Sequence, residues 1–300
     1  MEKRIFGRTG LEVSLLGFGG AEIGYEGATQ KAVDALLNEA LDGGLNVIDT
    51  AECYVNSEEL IGKAVGHRRK DYYLFTKCGH VSSDRAKGED WSKDGILKSI
   101  QQSLKRLKTD YVDLVCLHSC SRAELEKGEC IDALIEARKK GYTKLIGYSG
   151  DSKAARFAVE SSEFEVLQTS ISVADQEALE LTLPLARERG MGVIAKRPIA
   201  NAAWQHEGKA PEPYHQEYWE RFQKLDYAFQ RKPLEEAVEI AMRFTLSVQG
   251  VHTMIVGTKK PGRWKDNEQI VKKGPLTKAD FDAIRKRWRD VSKGKWAGQI

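Results

Sequence analysis

The stretch that decides the fold is Asn46-Val47-Ile48-Asp49-Thr50-Ala51-Glu52-Cys53-Tyr54. A short apolar run rich in β-branched residues ends in an acid, and a tyrosine follows after a few loop residues. This order is typical of a buried parallel strand that delivers a polar side chain to its carboxyl end. We therefore expect Asp49 and Tyr54 to lie at the carboxyl edge of a parallel sheet.

Later segments repeat this pattern of an apolar run that ends in a polar side chain. Together with the apolar run at residues 15–18, they predict eight strands separated by amphipathic helical patterns. Parallel strands need crossover helices and cover on both faces, so the pattern predicts an α/β fold, a closed (β/α)8 TIM barrel. An open doubly wound sheet is the alternative, but no Gly-x-Gly-x-x-Gly opens a helix. The predicted strand-end residues are Lys77, His118, Ser149, Gln168, Lys196 and Thr258.

Hydrophobic periodicity and terminal glycines predict the crossover helices. Residues 4–14 predict an N-terminal β-hairpin. Residues 199–232 predict a long insertion after the seventh strand. Residues 276–300 predict a helix and a C-terminal tail over the barrel, with an exposed Trp296. We expect residues 1–300 to form a single domain. The predicted helices span residues 30–42, 57–66, 92–107, 123–140, 152–161, 178–189 and 234–246.

The composition is that of a globular protein, with 41% hydrophobic and 30% charged residues and a net charge of +3. This charge is too small to predict a nucleic-acid partner. The N-terminal residues lack the apolar core of a signal peptide, and no apolar run reaches membrane-spanning length, so we expect a cytoplasmic protein without a membrane partner. The five cysteines include no Cys-x-x-Cys pair, so neither a disulfide framework nor a metal site is predicted. The oligomeric state is open, with a monomer as the default.

Asp49, Tyr54, Lys77 and His118 should meet at the mouth of such a barrel. A phenol is a weak acid with a pKa of about 10, and a nearby ammonium is expected to lower that pKa. A carboxylate keeps a buried lysine charged, and a histidine can orient a carbonyl oxygen. Together these groups suit protonation of an alkoxide that forms while hydride reaches the carbonyl carbon.

The same residues resemble the aldo-keto reductase family. Asp49-Thr50-Ala51 with Tyr54, Lys77 after a strand, and Leu117-His118 follow the family's order, and Phe6-Gly7-Arg8-Thr9-Gly10-Leu11 is also similar. The resemblance covers nearly the whole chain. It implies an NADPH-dependent oxidoreductase that reduces an aldehyde or ketone, a small-molecule carbonyl substrate, to an alcohol. Tyr54 would be the general acid, assisted by Lys77, Asp49 and His118.

The resemblance also implies where NADPH binds. Arg263 with Lys259, Lys265 and Thr258 would suit the 2′-phosphate, because a dianion favours a guanidinium, ammonium charge and a hydroxyl. The family's usual stacking tyrosine is replaced by Lys196, and Arg197 could serve instead as a flat cation. The implied cofactor-binding residues are Gly20, Asp49, Ser149, Gln168, Lys196, Arg197, Pro198, Ile199, Ala200, Gly257, Thr258, Lys259, Arg263 and Asn267.

Two other functions stay open at this point. The first is a non-catalytic NADPH-binding regulatory subunit on the same barrel, and the second is Schiff-base chemistry at Lys77. Each site residue alone also has an ordinary structural explanation, such as a packed core histidine at position 118. The residues expected to bind substrate are Tyr25, Tyr54, Trp91 and His118.

Overall fold

The structure is a computed structural model that describes residues 1–83, 86–206, 208 and 213–299, without the side chains of 81–83, 86 and 87. The strands are β1 (Lys3–Ile5), β2 (Glu12–Ser14), β3 (Leu16–Gly19), β4 (Val47–Asp49), β5 (Tyr73–Cys78), β6 (His80–Ser83), β7 (Ala86–Glu89), β8 (Val112–His118), β9 (Thr143–Ser149), β10 (Val166–Ser170), β11 (Gly192–Lys196) and β12 (Thr253–Val256).

Eight of these strands are parallel and close into a barrel in the order β3, β4, β5, β8, β9, β10, β11, β12. The predicted (β/α)8 barrel is confirmed. The N-terminal hairpin is also confirmed, since β1 pairs antiparallel with β2. A second antiparallel hairpin, β6 with β7, stands outside the barrel after β5 and was not predicted.

Helices connect the strands. They are α1 (Ala21–Tyr25), α2 (Gln30–Asp42), α3 (Ser57–Val65), α4 (Lys93–Leu107), α5 (Arg122–Lys127), α6 (Glu129–Lys139), α7 (Ser152–Ser161), α8 (Ala178–Leu181), α9 (Leu183–Glu188), α10 (Pro213–Leu225), α11 (Leu234–Ser247), α12 (Arg263–Lys272) and α13 (Lys278–Ser292). Three short 3₁₀ helices cover Gly66–Asp71, Ala200–Gln205 and Ala228–Arg231.

Two segments that were each predicted to form one continuous helix are broken into two helices. Residues 123–140 form two helices, because Gly128 adopts a φ of 81° that breaks the helix between α5 and α6. Residues 178–189 also form two, α8 and α9, which meet at Thr182. Pro184 lies in the first turn of α9, and a proline is tolerated at a helix start but not in its interior.

The N-terminal hairpin closes the amino end of the barrel. Phe6 is fully buried and its ring lies 5.9 Å from that of Phe75 inside the barrel. Gly7, with a φ of 57°, lies so close to the segment before β11 that a Cβ there would stand 2.5 Å from the Gly190 carbonyl oxygen. Because this end is plugged, the carboxyl ends of the strands form the accessible mouth.

Residues 296–299 form a strap that follows α13. Trp296 was predicted to be exposed, and this prediction is wrong: it is partly buried, with its ring 4.9 Å from that of Trp288. Gly298 N donates to Glu177 Oε2 at 2.6 Å, and Gln299 N donates to Asp175 Oδ2 at 2.9 Å. The predicted tail over the barrel is therefore held by hydrogen bonds.

Within the described ranges, the chain contains no helix that combines the length and hydropathy needed to cross a membrane.

Candidate active site

A buried ion pair forms the floor of the mouth. Asp49 ends β4, and Lys77 lies near the end of the neighbouring β5. The Lys77 ammonium donates to Asp49 Oδ2 at 2.5 Å and to the Thr50 carbonyl at 2.8 Å. Both side chains are almost fully buried, at 2% and 3% exposure. A buried charge without a partner is costly, so each of the two charges holds the other in place.

Two further strands satisfy the remaining oxygen of Asp49, although Gln168, predicted to end a strand, lies in the middle of β10. Gln168 Nε2, on β10, donates to Asp49 Oδ1 at 3.0 Å. Ser149 Oγ, at the end of β9, donates in turn to Gln168 Oε1 at 2.7 Å. A continuous series of hydrogen bonds therefore runs through Ser149, Gln168, Asp49 and Lys77, and each side chain orients the next one.

Tyr54 and His118 stand above this floor. The Lys77 ammonium lies 4.9 Å from the centroid of the Tyr54 ring. The Tyr54 and His118 rings meet edge to face, with centroids 5.7 Å apart. Asp49, Tyr54, Lys77 and His118 are thus brought together at one end of the barrel, although they come from three separate strand ends and the loop after β4.

The protonation states follow from burial and neighbours. Burial alone would lower the pKa of Lys77, but the Asp49 carboxylate and the nearby Tyr54 raise it above its ordinary value, so the ammonium is charged at neutral pH. Burial, opposed by Lys77, raises the pKa of the Tyr54 phenol to about 12. The expected lowering of the Tyr54 pKa is therefore wrong in sign: the ammonium acts as expected, but desolvation outweighs it. The phenol carries its proton.

His118 is a neutral imidazole. Burial, followed by the charges of Lys77 and the surrounding cations, places its pKa well below the ordinary value. Its Nδ1 lies 3.3 Å from the Cys53 sulfur. A thiol that donates to Nδ1 fixes the tautomer with the proton on Nε2. His118 can then act as a hydrogen-bond donor.

Aromatic rings build the wall beside these groups. The exposed Tyr25 donates from its hydroxyl to the Cys53 carbonyl at 3.1 Å, and its ring lies 5.7 Å from Tyr54. Trp91 packs over Gly79 and meets His80 edge to face at 5.6 Å. His80 stacks on His118 at 5.1 Å. Trp91 thus reaches the site through His80, and its predicted direct role in binding substrate stays a prediction.

The sequence as a whole matches one known family. A model of the Aldo/keto reductase family covers residues 15–289, which include all eight barrel strands. The chain belongs to the aldo/keto reductase family.

Its relatives include both curated proteins and solved structures. The uncharacterized oxidoreductase YqkF of Bacillus subtilis is 30% identical over 95% of this chain and 96% of its own length. L-galactose dehydrogenase of Arabidopsis thaliana is 28% identical over 90% of this chain and 88% of its own. The holo form of the aldo-keto reductase AKR11C1 from Bacillus halodurans superimposes with a TM-score of 0.82, at 29% identity and 96% coverage of both chains. As an aldo/keto reductase, the protein belongs to a family of oxidoreductases that generally reduce carbonyls with nicotinamide cofactors.

The segment after β12 is the one that the family resemblance assigns to the adenosine end of the cofactor, and its residues are compatible with a bound nucleotide. Asn267 on α12 is 3% exposed, and among the described residues its Nδ2 has no hydrogen-bond partner. A buried donor left unpaired is costly, so a ligand acceptor suits this position. Arg263 opens the same helix and Thr258 follows β12.

Two of the lysines expected at this end already have partners. Lys259 Nζ lies 2.9 Å from Glu26 Oε2, and Lys265 pairs with Glu39. Both lysines are exposed, and exposed ion pairs contribute little to stability. A bound phosphate can therefore replace the glutamates as the partner of these lysines. Gly257 stands close to Gly19, because a Cβ on it would lie 3.0 Å from the Gly19 carbonyl oxygen.

The opposite side of the aldo/keto reductase site carries two cations. Lys196 ends β11 and its ammonium lies 2.7 Å from Asp151 Oδ2. Burial, together with the neighbouring Arg197, lowers the pKa of Lys196 to about 8 in spite of Asp151. The Arg197 guanidinium lies 4.8 Å from the centroid of the Tyr214 ring and donates to the Gln299 carbonyl at 2.6 Å. The strap therefore reaches the side of the mouth that these cations line.

The loop after β11 and the end of β3 complete the expected cofactor positions. Pro198 and Ala200 are buried, Ile199 is half-buried, and Ala200 has a φ of 45°. Gly20 N donates to the Asp49 carbonyl at 2.8 Å. A Cβ on Gly20 would stand 2.7 Å from Ser57 Oγ in α3 and 3.0 Å from the Asp49 carbonyl oxygen, so the glycine allows the end of β3 to approach both α3 and the end of β4.

Three further residues of the site were not predicted from the sequence: Cys53, His80 and Asp151. Cys53 sits in the loop after β4, and His80 opens β6 two residues after β5 ends. A search for polar residues within a few positions of the strand ends that supply Asp49 and Lys77 would have found both. Asp151 follows β9 by two residues and accepts from Thr169 Oγ1 and Ser170 N, both at 2.7 Å. Its partners are distant in sequence, so no local pattern reveals it.

Proposed function

We propose that the protein is an NADPH-dependent reductase that converts an aldehyde or ketone to an alcohol, with Tyr54 as the general acid. The observation that carries this proposal is the grouping of a protonated phenol, a buried ammonium and a neutral imidazole at the open end of the barrel. The Asp49–Lys77 pair beneath them holds this grouping in place.

Each residue has a role that follows from its contacts. Reduced nicotinamide, when bound, supplies the hydride that reaches the carbonyl carbon. His118, with its proton on Nε2, donates a hydrogen bond to the carbonyl oxygen and orients it. Tyr54 gives its proton to that oxygen as negative charge develops, and the Lys77 ammonium stabilises the phenolate that remains. Asp49 keeps Lys77 charged and aimed.

NADPH is the proposed cofactor because of the cations after β12. Arg263, Lys259 and Thr258 lie in the segment that the family resemblance assigns to the 2′-phosphate. In this proposal Arg263 provides the planar donors that a phosphate favours. Steady-state kinetics of Arg263→Ala test this assignment. We expect the KM for NADPH to rise and the KM for NADH to stay unchanged. An equal rise for both cofactors contradicts the assignment to the 2′-phosphate.

The aromatic wall supports a small carbonyl substrate with an apolar or ring-shaped body. Tyr25 and Tyr54 present ring surface next to His118. One relative is an L-galactose dehydrogenase, so the substrate panel includes hexoses with NADP⁺ as well as small aldehydes with NADPH.

The experiment that tests the function is NADPH oxidation across this panel, for wild type and Tyr54→Phe. We expect wild-type turnover and a loss of kcat of at least about 100-fold in the variant, because general acid catalysis contributes on that order. Tyr25→Phe, which keeps its ring next to Tyr54, is the control. Equal rates for wild type and Tyr54→Phe remove Tyr54 from the mechanism. NADPH binding without turnover of any carbonyl identifies a regulatory subunit instead.

A further inference from the structure

Three side chains at the mouth bring together ligand atoms that metals favour. Cys53, His80 and His118 each offer one nitrogen or sulfur atom, and these atoms all lie within 4.8 Å of one another. They come from the loop after β4, the first residue of β6 and the end of β8. Sequence spacing does not reveal such a set, because the barrel rather than a short motif assembles it.

The distances suit a tetrahedral ion. Zn²⁺ binds imidazole nitrogen at about 2.0–2.1 Å and thiolate sulfur at about 2.3 Å, which places tetrahedral ligand atoms roughly 3.5 Å apart. Cys53 Sγ and His118 Nδ1 are already 3.3 Å apart. The remaining separations, which are at most 4.8 Å, need to shrink by no more than about 1.3 Å, which side-chain rotation can supply. All three residues are partly exposed, so an ion can reach them and keep a water as its fourth ligand.

His80 is held in place but has an unused ring nitrogen. Its ring stacks on His118 and meets Trp91 edge to face. Trp91 is fixed by a hydrogen bond from its Nε1 to Glu89 Oε2 at 2.8 Å. His80 Nε2 is buried and has no hydrogen-bond partner in the described part of the chain, with Glu89 Oε1 3.5 Å away. A ring nitrogen without a hydrogen bond, on a histidine that lies beside a thiol and a second imidazole, is the independent sign of a ligand.

We propose that Cys53, His80 and His118 form a binding site for a divalent transition metal of borderline softness, such as Zn²⁺, that excludes the carbonyl substrate from His118. Two imidazoles and one thiolate are the donors such ions select over Mg²⁺ or Ca²⁺. Binding exchanges the thiol proton of Cys53, which leaves to solvent, for a sulfur–metal bond. No electron is transferred.

The site has a consequence for catalysis. His118 would bind the ion through Nδ1 and keep its proton on Nε2, but the ion and its bound water would occupy the mouth beside that ring. Zn²⁺ should therefore compete with the carbonyl substrate for this space. This effect on turnover rests on the proposed reductase function, whereas metal binding itself does not.

The binding experiment uses Co²⁺ as a spectroscopic probe of the full chain. We expect one equivalent to give the intense visible bands of a tetrahedral ion together with a near-ultraviolet thiolate charge-transfer band. Cys53→Ser should lose the charge-transfer band, and His80→Gln should weaken binding at least about tenfold, since even outer-shell changes cost that much. Two matched controls should leave the spectrum unchanged: His67→Gln, on the exposed surface, and Cys130→Ser, buried in the first turn of α6.

The kinetic arm measures aldehyde reduction at increasing Zn²⁺. The expected result is a rise in KM for the aldehyde at constant kcat in wild type, which Cys53→Ser and His80→Gln relieve. A wild-type spectrum without a thiolate band, or equal binding in wild type and both variants, overturns the site. Absence of aldehyde turnover without metal overturns the proposed function instead, and the Co²⁺ spectrum still decides the metal site.

Discussion

At the scale of single residues, the Asp49–Lys77 pair dominates the behaviour of the site. Both charges are removed from water, and a hydrogen bond from Gln168 completes the coordination of the carboxylate. Breaking such a pair from one side leaves an uncompensated buried charge, which costs more than removing both charges.

Asp49→Asn should therefore lower the free energy of unfolding by about 3–5 kcal/mol and abolish activity. The double variant Asp49→Asn/Lys77→Met should recover most of that stability and remain inactive. Urea denaturation followed by circular dichroism measures the first effect, and NADPH oxidation the second. If the double variant is less stable than Asp49→Asn, the buried pair is not the cause of the loss.

Lys196 should make cofactor binding depend on pH. Its pKa, lowered by burial to about 8, means that the ammonium is charged at pH 7 and largely neutral at pH 9. If Lys196 holds an anionic part of NADPH, the KM for NADPH rises by roughly tenfold between pH 7 and pH 9, since a charged hydrogen bond contributes about 1.5–3 kcal/mol.

The control is Lys196→Arg, because a guanidinium stays charged over this range. Its KM for NADPH should be flat from pH 7 to pH 9. A wild-type KM that does not change with pH would remove Lys196 from the cofactor contacts.

Sequence reasoning worked well for residues that end strands and poorly for their neighbours. Asp49, Lys77 and His118 were predictable because each ends, or nearly ends, an apolar run. The pKa of Tyr54 was not predictable, since its shift depends on how deeply the barrel buries the phenol. Asp151 was missed because its partners, Lys196 and Ser170, are distant in the chain.

At the scale of elements, the hairpin of β1 and β2 acts as a plug. Phe6 contributes a whole ring to the barrel interior against Phe75. Phe6→Ala should lower the free energy of unfolding by about 3–5 kcal/mol, because it leaves a cavity. The mouth lies at the other end of the barrel, so kcat at a permissive temperature should change little.

Ile5→Ala is the matched control, since Ile5 lies next to Phe6 but is 62% exposed. It should change stability by no more than about 0.5 kcal/mol. Thermal unfolding followed by circular dichroism compares the two variants. Equal melting temperatures for Phe6→Ala and wild type would contradict the role of the hairpin as a plug.

The strands were predictable because buried parallel strands are continuous apolar runs, whereas helix breaks were harder. The apolar stripe continues across Gly128, so periodicity alone joins α5 to α6. Only the positive φ of Gly128 separates them, and a single glycine inside a helical pattern is an ambiguous signal.

At the scale of the whole molecule, Arg221 ties distant parts together. From α10 it donates to the Ala174 carbonyl at 3.0 Å and to the Ala297 carbonyl at 2.5 Å. Its guanidinium also lies 5.4 Å from the Trp296 ring and 3.7 Å from Asp175. This one side chain therefore joins the long insertion, the loop after β10 and the strap.

Arg221→Met should lower the free energy of unfolding by about 3 kcal/mol, because it leaves the buried Asp175 carboxylate without its cation. Arg122→Met, which breaks an exposed ion pair with Glu126, should cost no more than about 1 kcal/mol. Chemical denaturation of both variants measures the difference. If the two variants lose equal stability, the buried contacts of Arg221 contribute no more to stability than an exposed ion pair, and the proposed role of Arg221 is wrong.

None of these long-range ties was predictable. A helix and a tail over the barrel could be expected from residues 276–300, but the packing position of the Trp296 side chain depends on Trp288 and Arg221. These contacts form only when α10 and α13 pack together.

The position of the strap also decides how the protein should be handled in the laboratory. The Gln299 carbonyl accepts hydrogen bonds from Arg197 and Ser170, inside the mouth. A segment joined directly after residue 299 would begin beside these side chains, and rates measured on such a fusion would report the added segment as well as the enzyme. A tag placed before Met1 would sit beside the plugged end of the barrel, away from the chemistry.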